Sequence, residues 1–600
     1  MLPHFERKHW GGVATPLFIA LALAGSLSFA FMVVRFELAC PTCLVLPSSY
    51  YLSWLMFFLI LLSPIAYVAA HLKGRSNNSS STSKHVDRSQ YVLLAVAAVL
   101  VGSLSVLRFL LDPIPQGSDT PNYLYVSNLI IEKQSIVVIL GDGRELTFLA
   151  LAALRLLVEG VFHQPFQLSV ILFPILLSNI MAFATFQLVH TLTQDRELGI
   201  ASMAFSGFSF FLIRMSYDLF AQMLGVSLLL LLFSSIIKTM TTNNLNRKSL
   251  IQITLLSTGL IFAHSYTWIL GMVILVVYML GSYLEGVVPR LGPTLATLLP
   301  GIAYLAMIRL TSGLVHSVLP AQWYERVLAT PSVVQGVLFT LQSGNFSPLN
   351  PSFLSNATVG FENPLILTAA ALGAIALLRP DSRHRLPTLL FSWTLSLSVL
   401  LLFGFNQQYR LIILLPVGIL AGYAATTLSR VYARKVKLLS LNMGSYRLTR
   451  RVTSGTFILL VMILLAFSVS VPKAVAPQYV YYPNSQGVQQ LLLIRDLYGF
   501  GNQRILVLVE DPGFFQNSFQ YARAITGANV YQGSVYNLTM GKPFLLAGIV
   551  PVFPDLHSLD VIVIPPALYS VGPAETSVFR MENGLYMTTP NALMALTGSN

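Results

Sequence analysis

The chain has 600 residues, of which 55% are hydrophobic and only 10% are charged. Soluble domains carry about 25% charged residues, so this composition excludes an ordinary soluble protein and indicates helices surrounded by lipid or by one another. The formal net charge of +13 does not indicate nucleic acid as a partner, because the basic residues concentrate in short loops on one side of the predicted topology. This positive-inside pattern places the N-terminus and those loops in the cytoplasm.

Long apolar runs predict about thirteen transmembrane helices. The first two, Gly12–Val34 and Tyr50–Ala70, are each long enough to cross a hydrocarbon core of about 30 Å. The first run is too long for a cleaved signal peptide and further spans follow it, so we expect it to be retained. Taken together, the spans are predicted near 12–34, 50–71, 91–111, 166–189, 198–214, 219–238, 249–264, 267–284, 291–309, 363–379, 387–405, 411–428 and 455–472.

An odd number of spans that starts in the cytoplasm places the C-terminus outside. The predicted fold class is therefore an all-α polytopic protein of the cell membrane, with a small extracytoplasmic α/β domain at its C-terminus. Three parts are expected: a two-helix addition that ends in a cytoplasmic polar linker, a transmembrane core with two long external loops, and the external domain. Their bounds are 1–90, 91–475 (with loops 112–165 and 311–363) and 476–600.

Two segments outside the predicted spans have recognisable patterns. After residue 475, strand-like Ile505–Val509 and Val561–Ile564 alternate with helix-like Gly487–Leu497 and Gln516–Ile525, as is typical of a small α/β domain. In the first external loop, Glu145–Phe162 is amphipathic. We expect this stretch to lie in the membrane interface rather than to span the bilayer.

The two cysteines, Cys40 and Cys43, lie in the first short external loop of the predicted topology. They could form a local disulfide in an oxidising compartment, or act as a redox-active dithiol. The disulfide is favoured, because nothing nearby supplies a thioredoxin-like βαβ context. The chain has no further cysteine, which excludes a cysteine-ligated zinc site.

Asp119 is the first candidate for chemistry. It lies near the start of the first long external loop, among prolines and a glycine, and the aromatic residues Tyr123 and Tyr125 follow it. An acidic residue at the membrane surface can serve as a general base or as a metal ligand. The alternative is a helix cap, since a helix is expected to start near Pro121. The sequence leaves both interpretations open.

A second group of polar residues lies at the outer end of the fifth predicted span, where Arg214, Tyr217 and Asp218 occur within five positions. Charges this close to the hydrocarbon are costly, so they tend to pair or to face a water-filled cavity. Arg214 and Asp218 are four residues apart, so they could also simply pair across one helical turn.

Two further candidates lie at the outer ends of other spans. Tyr409 and Arg410 precede an apolar stretch that ends at Pro416. An arginine on this side runs against the positive-inside bias, which favours bidentate capture of a phosphate over mere snorkelling. His264 lies beside Tyr266 and Trp268. A single interfacial histidine is more often structural than functional, and both roles stay open.

The order of these features resembles the C-type glycosyltransferase (GT-C) superfamily, including oligosaccharyltransferase catalytic subunits and protein mannosyltransferases. Asp119 and the amphipathic Glu145–Phe162 are similar to the acidic residue and juxtamembrane helix of that family's first external loop. Arg214-Met-Ser-Tyr217-Asp218 resembles its second-loop motif, and Tyr409-Arg410 resembles its late arginine and proline span. The oligosaccharyltransferase Trp-Trp-Asp acceptor motif is absent, as the sequence after residue 475 has no tryptophan. The resemblance covers roughly residues 91–475 and the external domain.

The resemblance implies a glycosyltransferase that moves a sugar from a polyprenyl-phosphate-linked donor to a glycan, lipid or protein acceptor on the outer face. Asp119 would be the general base, while Arg410, Arg214 and Tyr409 would bind the donor phosphate. Asp218 and His264 would position the acceptor or a cation. No cofactor is certain; a divalent cation such as Mg²⁺ or Mn²⁺ is left open, with Asp119 and Asp218 as its ligands. Membrane lipids are expected partners and nucleic acid is not.

Two other classes of protein compete with this interpretation. A transporter would need ionisable residues near the bilayer midplane and paired broken helices, whereas the polar residues here lie mostly at the outer ends of the spans. A non-enzymatic scaffold for envelope assembly would leave Arg214, Asp218 and Arg410 unexplained.

Overall fold

The computed structural model describes residues 88–107, 109, 119–134, 143–241, 246–284, 291–318, 362–377, 385–402, 413–433 and 454–475. After residue 475 it describes 491–492, 495, 501, 504–509, 518–534, 544–546, 550–552, 561–564, 578–580 and 586–588. The predicted spans at 12–34 and 50–71, the two cysteines, and Tyr409 and Arg410 lie outside these residues.

Helices make up most of the chain before residue 476. In chain order they are α1 Arg88–Leu107, α2 Thr120–Lys133, α3 Glu145–Arg155, α4 Phe166–Thr193, α5 Arg196–Gly207, α6 Phe210–Asp218, α7 Phe220–Thr241, α8 Arg247–Ala263, α9 Ser265–Leu284, α10 Leu291–Val318, α11 Pro364–Leu377, α12 Arg385–Leu402, α13 Val417–Ala433 and α14 Ser454–Val475. A π-helical stretch, Leu156–Val161, continues directly from α3.

Several of these helices are long and apolar enough to cross a membrane, which supports the predicted polytopic membrane protein. Within the described part of the chain, five helices meet this criterion by length and composition: Gln90–Leu107, Phe166–Thr193, Phe220–Met240, Ser265–Tyr283 and Gly455–Val475. A sixth follows if α5 and α6, which are bent by 52° at their junction, form one broken span. The count of thirteen and the orientation in the membrane stay predictions.

Contacts among Cα atoms divide the chain into two compact units. The first unit comprises Met1–Arg108, Ile175–Met215 and Ala221–Ala476, and the second comprises Phe109–Pro174, Ser216–Phe220 and Pro477–Asn600. Most apolar helices therefore belong to the first unit. The second unit gathers the first-loop helices α2 and α3 with the C-terminal residues.

Small residues let two helices of the first unit approach closely. A Cβ atom added to Gly418 on α13 would overlap Ser206 Oγ on α5, and one added to Gly422 would lie 2.5 Å from Ser202 Oγ. Because residues four apart share one helix face, these positions form matching strips of small residues, a packing device common between membrane helices. At the end of the same helix pair, Arg430 Nη2 lies 2.5 Å from Asp195 Oδ2.

The C-terminal residues form a mixed sheet in the order β4-β3-β2-β1-β5-β7-β6. The central strand β1 runs parallel to both of its neighbours, β2 and β5, whereas the outer pairs are antiparallel. One helix, α15 Ser518–Thr526, lies in the chain between β1 and β2. The strands are β1 Arg504–Val509, β2 Asn529–Ser534, β3 Phe544–Leu546, β4 Val550–Val552, β5 Val561–Ile564, β6 Val578–Arg580 and β7 Tyr586–Thr588.

Candidate functional site

Asp119 stands at the N-cap position of α2 but does not cap the helix with its side chain. Its backbone carbonyl accepts hydrogen bonds from the backbone N–H groups of Asn122 (3.0 Å) and Tyr123 (3.2 Å), which start the helix. Its carboxylate makes no capping hydrogen bond, and the residue is half-buried. Proline at the second helical position, Pro121, already presets the helix start. The side chain of Asp119 is therefore not needed for the cap that the sequence left as an alternative.

A hydrogen bond joins the first loop to the end of α6 within the second unit. The Thr120 hydroxyl donates to the backbone carbonyl oxygen of Tyr217 over 2.6 Å, and both residues are buried. Thr120 follows Asp119, and Tyr217 precedes Asp218. The bond thus brings together the backbone at the two acidic positions that the sequence singles out; the side chain of Asp218 lies outside the described part of the structure.

Aromatic rings pack around this junction. The ring of Tyr123 stacks on Phe220, with centroids 5.1 Å apart, and is tilted against Phe148 at 5.6 Å. The ring of Tyr217 lies 5.7 Å from that of Phe109. Tyr123 and Tyr217 are both buried, so the first turn of α2 and the end of α6 have a rigid apolar base.

Arg144, which the sequence patterns did not single out, lies over the same rings. Its guanidinium carbon is 5.7 Å from the Tyr123 centroid and 5.4 Å from that of Phe148, within the range of cation–π attraction. The residue is half-buried and directly precedes α3. The sequence Gly141-Asp-Gly143 before it is the signal that could have drawn attention to this position. The packing holds a positive charge near the first turn of α2.

A buried arginine, also missed from the sequence, fixes α2 against α3. Arg155 is only 1% exposed, and its guanidinium forms two bonds to the partly exposed Glu159 carboxylate, at 2.7 and 3.1 Å. It also donates to Ser127 Oγ (3.0 Å) and to Asn128 Oδ1 (2.5 Å) on α2. The spacing of four residues between Arg155 and Glu159 was visible in the sequence, but burial of Arg155 was not.

The C-terminal helix α15 contacts α2 directly. The Asn128 side-chain amide donates to the Ala524 carbonyl oxygen (2.5 Å), and the Arg523 guanidinium carbon lies 4.4 Å from the Tyr125 ring centroid. Because Asn128 also accepts from Arg155, α3 and α15 both fix the same part of α2, the helix that begins next to Asp119.

Of the candidates in the first unit, Arg214 is half-buried in the middle of α6. Its predicted pairing with Asp218 involves a side chain that is not described. His264 is buried between α8 and α9, where its Nδ1 lies 2.6 Å from Thr267 Oγ1 and 3.3 Å from the Thr267 backbone nitrogen. These are the contacts of a residue that caps α9. A role of His264 in positioning the acceptor or a cation stays a prediction.

The first unit also contains a largely apolar pocket with a cavity volume of about 50 Å³ next to the break between α5 and α6. Its lining includes Ser206, Met215, Trp393, Ile413 and Pro416. The indole N–H of Trp393 is buried and has no hydrogen-bond partner among the described residues. The pocket suits an apolar group.

Metal binding has no direct support in the described side chains. Among them, no three His, Cys, Asp or Glu residues come together as a metal site would require. The side chain of Asp218, one of the two expected ligands, is not among them. Metal dependence therefore stays a prediction.

No family model matches the chain, and no curated protein matches its sequence. Solved structures do match. The archaeal oligosaccharyltransferase AglB from Archaeoglobus fulgidus, in complex with an inhibitory peptide and a dolichol-phosphate, matches 73% of this chain at 12% identity and a TM-score of 0.42. This chain covers 63% of the AglB chain.

A second similar structure is that of ArnT from Cupriavidus metallidurans bound to undecaprenyl phosphate. The match covers 84% of this chain and 98% of the ArnT chain, at 12% identity and a TM-score of 0.48. The match to ArnT in the apo state covers 83% of this chain and 97% of the ArnT chain, at 14% identity and a TM-score of 0.42. These similarities are distant.

Proposed function

We propose that this chain is a membrane glycosyltransferase of GT-C type, which transfers a sugar from a polyprenyl-phosphate-linked donor to an acceptor on the outer face of the membrane. The observation that carries the proposal is the Thr120–Tyr217 hydrogen bond. It joins the two sequence segments that contain Asp119 and Asp218, although they are 99 positions apart by their numbers. The bond holds the backbone at positions 119 and 218 close together, as is needed if Asp119 and Asp218 act on one substrate.

In this proposal Asp119 is the general base. Its carboxylate would take the proton of the acceptor hydroxyl as the hydroxyl oxygen attacks the anomeric carbon of the donor sugar, and the bond from that carbon to the phosphate oxygen would break. Asp218 would position the acceptor, or hold a divalent cation together with Asp119. The half-buried state of Asp119 fits a group that must meet both protein and substrate.

The leaving phosphate needs positive charge, because electrostatic stabilisation usually lowers the barrier of such transfers more than any other effect. Arg410 and Arg214 are the proposed donor-binding cations, with Tyr409 beside them. Ile413 follows Arg410 by three positions and lines the apolar pocket. We therefore assign the start of the isoprenoid chain to this pocket.

The test is transfer from a polyprenyl-phosphate sugar pool to membrane-surface acceptors by the full chain in lipid nanodiscs. Asp119→Asn should slow transfer by about 10²–10⁴-fold, because asparagine cannot act as a base, while thermal stability should stay near that of the wild type. Arg410→Ala should mainly raise KM for the donor. Glu132→Gln, on the exposed part of α2, is the matched control and should be active. Full transfer by the Asp119 and Arg410 variants and by Asp218→Asn would refute the proposal.

A further inference from the structure

Two buried polar residues, Glu362 and Asn363, lie at the break between α5 and α6. Both are 0% exposed. The two helices meet with a bend of 52°, and Phe208 and Ser209 separate them. Such a break leaves backbone N–H and C=O groups without their helical partners, and in apolar surroundings each of these groups needs a partner from elsewhere.

Glu362 supplies acceptors for the start of α6. One carboxylate oxygen, Oε1, accepts from the backbone N–H of Phe210 (2.7 Å) and from that of Asn363 (2.7 Å). The other, Oε2, accepts from the hydroxyl of Ser209. A carboxylate at a helix N-terminus also interacts favourably with the helix dipole. Glu362 is thus the N-terminal cap of α6, although it comes from more than 140 positions further along the chain.

Asn363 attaches this cap to the surrounding helices. Its Oδ1 accepts from the backbone N–H of Leu365 (3.0 Å) at the start of α11. Its Nδ2 donates to Ser470 Oγ (2.8 Å) and to the carbonyl oxygen of Ala466 (3.0 Å) on α14. The Ser470 hydroxyl in turn donates to the carbonyl oxygen of Phe208, next to the end of α5 (2.5 Å). The cap is therefore held by α11 and α14, and through Ser470 by the backbone next to the end of α5.

The half-helix that this cap holds is short and carries the second-loop motif. α6 has nine residues, with Arg214 at its centre and Tyr217 and Asp218 at its end. A helix of this length is not stable by itself, so its direction depends on how its ends are fixed. We propose that Glu362 is a positioning residue, which holds α6 so that Arg214 can contact the donor phosphate. The role of Arg214 and the kinetic effects rest on the proposed function, whereas the capping of α6 by Glu362 does not.

Substitution by glutamine separates positioning from chemistry. The amide oxygen of Glu362→Gln can still accept from the Phe210 and Asn363 N–H groups, and its NH₂ group can donate to Ser209 Oγ, whose hydroxyl can turn away. Glu362→Gln keeps the cap but cannot take up or release a proton, whereas Glu362→Ala loses the cap as well. A residue that acts as an acid, a base or a metal ligand would not tolerate glutamine.

The matched control is Asp195→Ala, because Asp195 caps the other half of the broken span. Its side chain accepts from the Leu198 N–H (3.2 Å) at the start of α5. Hydrogen–deuterium exchange of the full chain in nanodiscs reports on the caps without any substrate. Glu362→Ala should speed exchange in Phe210–Asp218 and leave Arg196–Gly207 near wild type, while Asp195→Ala should do the reverse.

In the transfer assay, Glu362→Ala should raise KM for the donor by about ten- to hundredfold, as expected when several buried hydrogen bonds that hold α6 are lost. It should change kcat less, and Glu362→Gln should restore KM to within a few-fold of wild type. Asp195→Ala should leave KM unchanged. Should Glu362→Ala not fold, Ser209→Ala removes one donor to the same carboxylate and should show a smaller increase in KM and in exchange.

Loss of transfer in Glu362→Gln equal to that in Glu362→Ala would overturn the inference in favour of a chemical role. Unchanged exchange in Phe210–Asp218 of Glu362→Ala would overturn it as well. Absence of transfer in the wild type would instead count against the proposed function, and the exchange experiment would still decide whether Glu362 fixes α6.

Discussion

Asn128 and Ala524 are joined by a hydrogen bond of 2.5 Å, from a side-chain amide on α2 to a backbone carbonyl on α15. Asn128 is buried and uses its other side-chain atom to accept from Arg155. The Asn128 side chain thereby accepts a hydrogen bond from the buried Arg155 guanidinium and donates one to the Ala524 carbonyl oxygen. Helices α2 and α3 and the C-terminal residues are consequently expected to gain and lose structure together.

Arg155→Met should strongly destabilise the second unit. The substitution removes a buried guanidinium and leaves the buried Ser127 and Asn128 and the partly exposed Glu159 without it, which should cost about 1–3 kcal/mol. Thermal unfolding of the full chain in detergent measures the effect. Arg155→Met combined with Glu159→Met should recover part of the loss, since no carboxylate is then left without its cation.

The control for that experiment is the ion pair of Arg495 and Glu132, in which Nη2 and Oε1 are 2.9 Å apart and the Glu132 side chain is 40% exposed. Glu132→Gln should cost less than about 1 kcal/mol, as is usual for exposed pairs. An equal loss from Glu132→Gln and Arg155→Met would show that burial of the Arg155 network is not what stabilises the unit.

Thr120→Val tests the junction next to Asp119. Valine keeps the shape of threonine but cannot donate to the Tyr217 carbonyl, so the unfolding free energy should fall by about 1–3 kcal/mol because that oxygen stays buried without its donor. Transfer should fall by about tenfold or more if the junction positions Asp119. Thr526→Val, which removes a hydroxyl bond to the Ala522 carbonyl within α15, is the control and should retain transfer. Equal transfer by both variants would show that the junction does not position Asp119 for the reaction.

Gly418→Leu should prevent α5 and α13 from packing. Its Cβ alone would overlap the Ser206 Oγ and backbone, and overpacking typically costs about 1–3 kcal/mol or more. Gly102→Ala is the matched control, since a Cβ there would meet its nearest neighbour at an ordinary 3.7 Å. The yield of monodisperse protein and its melting temperature are the measurements. A Gly418→Leu protein as stable as Gly102→Ala would contradict the close helix packing.

The orientation in the membrane is tested with thiol reagents that do not cross it. After reduction of intact cells, the reagents should label Cys40 and Cys43. In a protein in which both are serine, Lys435→Cys should be labelled only in inverted vesicles, because the basic loop that contains it is predicted to be cytoplasmic. The opposite pattern would reverse the topology and with it the proposed outer face.

Local sequence patterns predicted several elements well. Helices are present at the predicted amphipathic stretch, as α3 and the π-helical turn, and β1 and β5 lie at the two predicted strands. The predicted spans 198–214 and 219–238, and likewise 249–264 and 267–284, are separated by short gaps, and single residues, Leu219 and His264, separate the helices there. Apolar periodicity and run length carry this information within a few neighbouring residues.

The break at Phe208 and Ser209 could not be predicted in this way. Residues 198–214 are uniformly apolar enough to predict one continuous span. Glu362 accepts the hydrogen bonds that stabilise the break, and it lies far from the break in the sequence. No local pattern therefore reveals the break. The same holds for the burial of Arg155, which depends on Asn128 and Ser127 from another helix.

The contact between Asn128 and Ala524 also constrains the order in which the protein can mature. The two residues are separated by 396 positions in the chain, so the ribosome delivers α2 long before its partner α15 exists. The parallel strands β1 and β5, on which that part of the chain is built, must also come together across a long connection, which is a slow step in folding. A chain that stops before residue 524 would contain every proposed catalytic residue but lack the contact that holds α2. We therefore expect such truncated products to be degraded rather than to accumulate as a partly active enzyme.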